Sequence, residues 1–103
     1  MYMAPEMLRE RVFSFKGDIF SFGMTLWEMI QRKQPYSGEK HRKLKKPQFE
    51  EVRERGELPG ELTEIEPPEV RMLLTKMFSF EHDERPSAEE CARMIQKIRS
   101  RMP

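Results

Sequence analysis

The 103-residue sequence is short of several features that would assign it a class at once. It holds a single cysteine, so no internal disulfide can staple it, which fits a reducing compartment. Lys and Arg number 19 against 18 Asp and Glu, a net charge of +1, so no global field draws the chain to nucleic acid or to a membrane surface. The longest apolar stretch, 19–30, is interrupted by Ser21, Thr25 and Glu28 and falls short of the roughly 20 residues needed to span a bilayer. The first six residues have neither a basic start nor an apolar stretch and do not read as a signal peptide. Five glycines and eight prolines are too few for a collagen-like or low-complexity chain. The expectation is a cytoplasmic or otherwise intracellular protein with no nucleic-acid and no membrane partner.

Charge, by contrast, is plentiful. Charged residues make up 36% of the chain, well above the roughly 25% of an average domain, and hydrophobic residues make up 37%. Ten aromatic side chains argue against disorder. The length suits one small domain, which buries only about two thirds of its unfolded surface and so has a thin stability margin.

Hydrophobic spacing predicts helices and no useful strand. Residues 4–11 suit a short helical turn with Pro5 early, where its missing N–H costs nothing. Residues 12–17 read as a connector ending in a turn. Over 18–32 an acidic start and a basic end fit the helix dipole. Its apolar residues cover nearly the whole circumference, the mark of a buried helix around which others pack. Gly23 costs about 1 kcal/mol in a helix interior, and close approach of a neighbouring backbone would explain it. After a turn at 34–38 comes a basic run, Lys40 to Lys46, which reads as a solvated loop because the glutamates that follow offset its field. A short helix is expected over 47–57, with Phe49, Val52 and the Arg53 stem inward and Gly56, Pro59 and Gly60 ending it. Residues 58–66 read as loop, 69–78 as helix and 79–86 as a polar connector. Ser87 and Glu90 form an S-x-x-E capping box for a last helix whose inward stripe is Ala88, Cys91, Ala92, Ile95 and Ile98. Cys91 reads as a small core residue, and His41 and His82 have no partners at metal or triad spacing. The fold class that results is all-α, with helices packed around a central buried helix at about 18–32.

Four motifs then line up in order. Tyr2-Met3-Ala4-Pro5-Glu6 contains the A-P-E triplet that ends the activation segment of protein kinases. Asp18-Ile19-Phe20-Ser21-Phe22-Gly23 resembles the D-x-[WYF]-S-[FL]-G run of that family's central helix. Pro35-Tyr36 matches the P-[FY] turn after it, and Glu84-Arg85-Pro86-Ser87 resembles the [DE]-R-P-[ST] motif before the last helix. The chain resembles the second half of the kinase large lobe, of Ser/Thr or tyrosine-kinase-like type, and residues 1–103 are expected to form a partial kinase domain.

The resemblance implies roles. Glu6 and Arg85 would pair to tie the end of the activation segment to the loop before the last helix, a task suited to a planar bidentate contact. Asp18 would accept hydrogen bonds from the catalytic-loop backbone. Met3 would line the pocket for the residue after the phosphoacceptor, and Glu28 sits where some family members meet a basic substrate residue. Ala4, Pro5 and Gly23 complete the motif positions. No G-x-G-x-x-G loop, strand lysine, H-R-D or D-F-G occurs in these residues. No cofactor is therefore expected in this chain; ATP and Mg²⁺ would belong to a complete parent kinase acting on a protein substrate. The resemblance places Met1 inside the substrate-docking loop.

Two readings follow. One is an inactive piece of a kinase, whose partner is the missing N-lobe and catalytic-loop half. The other is a stand-alone non-catalytic helical module, whose partner is a protein that covers the exposed helix face. Either way, without upstream elements several large side chains of the central helix should be exposed. Each such residue forgoes roughly 1.5–3 kcal/mol. A molten, associating or partner-dependent species is expected.

Overall fold

The computed structural model describes residues 2–101. Met1, with the expected start of the docking loop, lies outside the described residues, as do the last two positions. Five α-helices follow in order: α1 (Pro5–Glu10), α2 (Phe15–Gln31), α3 (Lys46–Glu54), α4 (Pro68–Met77) and α5 (Ala88–Arg101), with a single 3₁₀ turn (His82–Glu84) before α5. Among the described residues there is no strand, so the all-α expectation holds. No described helix is long and apolar enough to cross a membrane.

Helix α2 begins three residues earlier than the charge pattern suggests. Ser14 is its N-cap, and its hydroxyl accepts from the Gly17 amide at 3.2 Å. The expected connector at 12–17 thus contributes its second half to the first turn, because Ser14 satisfies an end amide that Asp18 sits too late to reach. Helix α3 ends at Glu54, three residues short of the expected end. Gly56, at φ +76°, turns the chain away there.

Helix α2 packs on α4, α1 on α3, and α5 on α4. The α2–α4 seam is tight. Phe20 and Phe78 meet edge to face at 5.4 Å between ring centres. A Cβ on Gly23 would lie 3.1 Å from Met77 Cβ and 3.3 Å from Phe78 Cε1, so the glycine admits α4 side chains rather than a neighbouring backbone. The loop after α3 wraps Trp27, whose indole N–H donates to the Glu61 carbonyl at 3.4 Å. Gly60 lies so close that a Cβ there would fall 2.5 Å from Trp27 Cζ2.

The Cα framework measures 44 × 30 × 15 Å. At about 10 Å per helix, the short dimension leaves little room to cover α2 on both sides. One face buries Ile19, Phe20, Met24 and Trp27, while Phe22, Met29 and Ile30 are 44%, 67% and 41% exposed. Helix α5 departs from its expected stripe in the same way. Cys91 is buried and Met94 and Ile98 pack on the core, whereas Ala88, Ala92 and Ile95 are exposed. The flexible Met94 reaches the core where the two alanines are too short. The exposed three instead border an apolar groove shared with Ile19 and Phe22.

Candidate functional site

Three clusters of polar side chains stand out. The first is buried. Helix α1 starts at Pro5 with Ala4 as its N-cap, which turns Glu6 inward in the first turn. Arg85 enters from the loop before α5. Its guanidinium grips Glu6 in bidentate fashion, Nη1 to Oε2 at 2.7 Å and Nη2 to Oε1 at 2.8 Å. Nε donates to the Ser79 carbonyl at 2.8 Å, Nη1 also to Lys16 O at 3.0 Å and Nη2 also to Phe80 O at 3.2 Å. All five donors of the fork are thereby used. The Phe20 ring lies 5.0 Å from the guanidinium carbon, and Lys16 Nζ returns a 2.5 Å hydrogen bond to the Arg85 carbonyl. Arg85 is 2% exposed and Glu6 5%. Burial pushes the Glu6 carboxyl up, but the Arg85 hydrogen bonds, the backbone amide of Glu6 and the Arg85 charge outweigh it and hold the group below its ordinary value. This arrangement staples α1, the start of α2 and the 79–80 turn to one point.

The second cluster lies at the chain's start. The Tyr2 hydroxyl donates to Glu28 Oε1, which fastens the segment before α1 to the second half of α2. That hydrogen bond, with slight burial and the carboxylate charge, pushes the Tyr2 phenol up. Met3 is 46% exposed beside it in sequence. Ala4, Pro5 and Gly23 are buried, and Asp18 is exposed in the first turn of α2. The structure thus brings Glu6 to Arg85 and the segment holding Met3 to Glu28. The Asp18 side chain bonds to neither pair among the described residues, although Lys16 O and Gly17 just before it border the Glu6–Arg85 contact.

The third cluster had no signal in the sequence. Glu57 receives Lys40 Nζ at 3.0 Å, His41 Nε2 at 3.1 Å and Arg55 Nη2 at 2.7 Å. These contacts, Lys40 first, then Arg55 and His41, pull its carboxyl down to about 2. His41 is buried and meets the Tyr36 ring edge to face, and the Tyr36 hydroxyl donates to Glu57 O at 2.9 Å. Burial, with the Glu57 charge adding to it and Arg53 opposing, pushes the Tyr36 phenol up to about 12. The group sits on the rim of an open cleft of about 660 Å³ between the loops that follow α2 and α3. His41 and Glu57 lie sixteen positions apart in sequence, and neither belongs to a spaced motif. Only the fold brings them together.

Among the described residues, no group of three or more His, Cys, Asp or Glu side chains is placed to hold a metal ion. The geometry offers a braced scaffold and an exposed rim. Residues 1–95 match the family model described as the protein kinase domain. The chain belongs to the protein kinase family. Among its kinase relatives, the dual specificity protein kinase shkC of Dictyostelium discoideum is 36% identical over 87% of this chain and 17% of its own length. The probable serine/threonine-protein kinase drkC of the same organism is 33% identical over 94% of this chain and 12% of its own. The serine/threonine-protein kinase mos of Patiria pectinifera is 52% identical over 39% of this chain and 11% of its own. The chain therefore spans less than a fifth of each of these kinases.

Proposed function

We propose that this chain is the scaffold and part of the peptide-docking face of a protein kinase domain. The parent transfers the γ-phosphoryl group of ATP to Ser or Thr, or to Tyr, of a protein substrate. In such transfer the work lies in positioning ATP, binding Mg²⁺ and orienting the attacking hydroxyl. None of the motifs for those tasks occurs in these residues, so the chain by itself transfers no phosphate. The observation that carries the reading is the Arg85 staple, which satisfies a whole guanidinium in order to fix the A-P-E segment against the helical scaffold. Met3, and Glu28 held by Tyr2, then face the substrate, and Asp18 is left for the catalytic-loop backbone of the other half. The test is labelled ATP with the purified chain and a general protein substrate. Incorporation at the blank level is expected; incorporation that rises with chain concentration and survives removal of contaminating kinase would refute it.

A non-catalytic helical module is the second reading. The exposed apolar face of α2, with Phe22, Met29 and Ile30, favours it, since such a face is suited to a protein partner.

A further inference from the structure

The net charge of +1 hides a sharp division. Between Arg32 and Lys46 lie seven cations and one carboxylate, a local charge of +6. The rest of the chain carries twelve cations against seventeen carboxylates, a charge of −5. All seven cations, Arg32, Lys33, Lys40, Arg42, Lys43, Lys45 and Lys46, are exposed. Among the described residues only two of them reach a carboxylate: Lys40 meets Glu57 and Arg42 meets Glu39. Of the glutamates expected to offset this run, only Glu57 reaches it among the described residues. Five like charges are therefore left crowded on one loop without a partner, which costs stability and leaves a strong local field.

The loop that carries them is anchored rather than slack. The Tyr36 amide donates to Pro59 O at 2.8 Å, His41 is buried against Glu57, and Leu44 packs on the core. Turn hydrogen bonds from His41 and Arg42 to Gly38 O, at 3.1 and 2.9 Å, hold the basic stretch in shape. Cations on a braced loop lose less freedom when they engage an anion than cations on a floppy one.

We propose that loop 32–46 is a docking surface for an acidic segment of a partner protein. The neighbouring chemistry selects that occupant. The loop's own rings, Tyr36 and His41, are buried, so no exposed aromatic offers a base a stacking platform. Its only large aliphatic residue, Leu44, is partly buried, so the loop itself presents no large apolar side chain for insertion between lipids. The adjoining cleft has Lys33 and Lys40 on the loop side, with Glu39 held by Arg42 between them, and Glu57, Glu61 and Glu64 on the other. An extended nucleic acid or a flat anionic surface would meet both signs at once. A short peptide that is acidic only where it crosses the loop meets one.

The surface works without any catalytic half, so its test is separate from the phosphoryl-transfer reading, and either can fail alone. The experiment is fluorescence anisotropy of a labelled peptide of about twelve residues rich in Asp and Glu, titrated with the full chain at about 50 and about 200 mM salt. Binding is expected to weaken about tenfold across that range. The triple variant Lys43→Glu, Lys45→Glu, Lys46→Glu should lose at least about tenfold in affinity. The equally charge-reversed Arg93→Glu, Lys97→Glu, Arg99→Glu on α5 should stay within about twofold of the unaltered chain. Circular dichroism confirms that the two variants keep the same helix content. Equal losses in both variants, or no binding by the unaltered chain, would overturn the proposal. So would tighter binding, at matched charge, to single-stranded RNA or to vesicles of anionic lipid than to the peptide.

Discussion

Arg85 and Glu57 each gather several hydrogen-bonding partners, yet they do opposite things to the fold. Around Arg85 every donor is used, water is excluded and the partners come from three separate segments. Around Glu57 the partners are Lys40 and Arg55, whose side chains are 77% and 62% exposed, and one buried histidine. An enclosed pair makes its members indispensable to each other, because removing one leaves the other charged and dry. An open cluster leaves its exposed members, Lys40 and Arg55, with water as a substitute, and only the buried His41 depends on Glu57 for a partner. The two sites have similar distances and differ in dielectric surroundings, so distance alone is a poor guide to energetic weight.

Single substitutions test this contrast, each followed by urea unfolding through the lone, buried Trp27. The order of the losses is the readout and survives a broad transition. The largest effect is expected for Arg85→Ala, which strands Glu6 in the interior and should cost about 3–5 kcal/mol. Arg85→Lys should recover only part of this, since an ammonium cannot reproduce the two-point grip or reach all the carbonyls. Next comes Gly60→Ala. A methyl 2.5 Å from the Trp27 ring forces the loop off the indole, at about 1–3 kcal/mol. Ser87→Ala removes the hydroxyl that accepts the Glu90 amide at 3.1 Å and should cost about 1 kcal/mol.

Glu57→Gln should be the mildest, at about 1 kcal/mol or less, because its Lys40 and Arg55 partners stay hydrated. Its signature is pH dependence. The folded carboxyl lies near 2 against 4.5 for the free group, so its stabilising effect is present above about 4.5 and is lost as pH falls towards about 2. Stability of the Glu57→Gln variant should fall less steeply through that window than that of the unaltered chain. A Glu57→Gln loss equal to that of Arg85→Ala would erase the distinction between the two sites.

Legibility in the sequence follows the same divide. The Glu6–Arg85 contact could be anticipated because both residues sit in short linear motifs whose family geometry is known. The helices could be anticipated because spacing and capping are local, as Ser87 and Glu90 show. The start of α2 was less visible, since Ser14 and Gly17 have no apolar periodicity to mark them. The direction of α5 could not be read. The expected stripe put Ile95 inward and did not include Met94, whereas Met94 packs on the core and Ile95 is exposed, because the choice depends on which face α4 presents. The Glu57 cluster was invisible because loop closure after α2 and α3, and not any pattern along the chain, brings Tyr36, His41 and Glu57 together. The exposed residues of α2 follow from the thin slab, in which a helix apolar on all sides is covered on one.

The enclosed Glu6–Arg85 pair acts as one unit that fastens the A-P-E segment to the scaffold. A double-mutant cycle of Glu6→Ala and Arg85→Ala, read from urea unfolding, tests it most directly. Strong non-additivity is expected, with a coupling of about 2 kcal/mol or more and the double variant little worse than the worse single. Additive losses, with a coupling under about 0.5 kcal/mol, would contradict it.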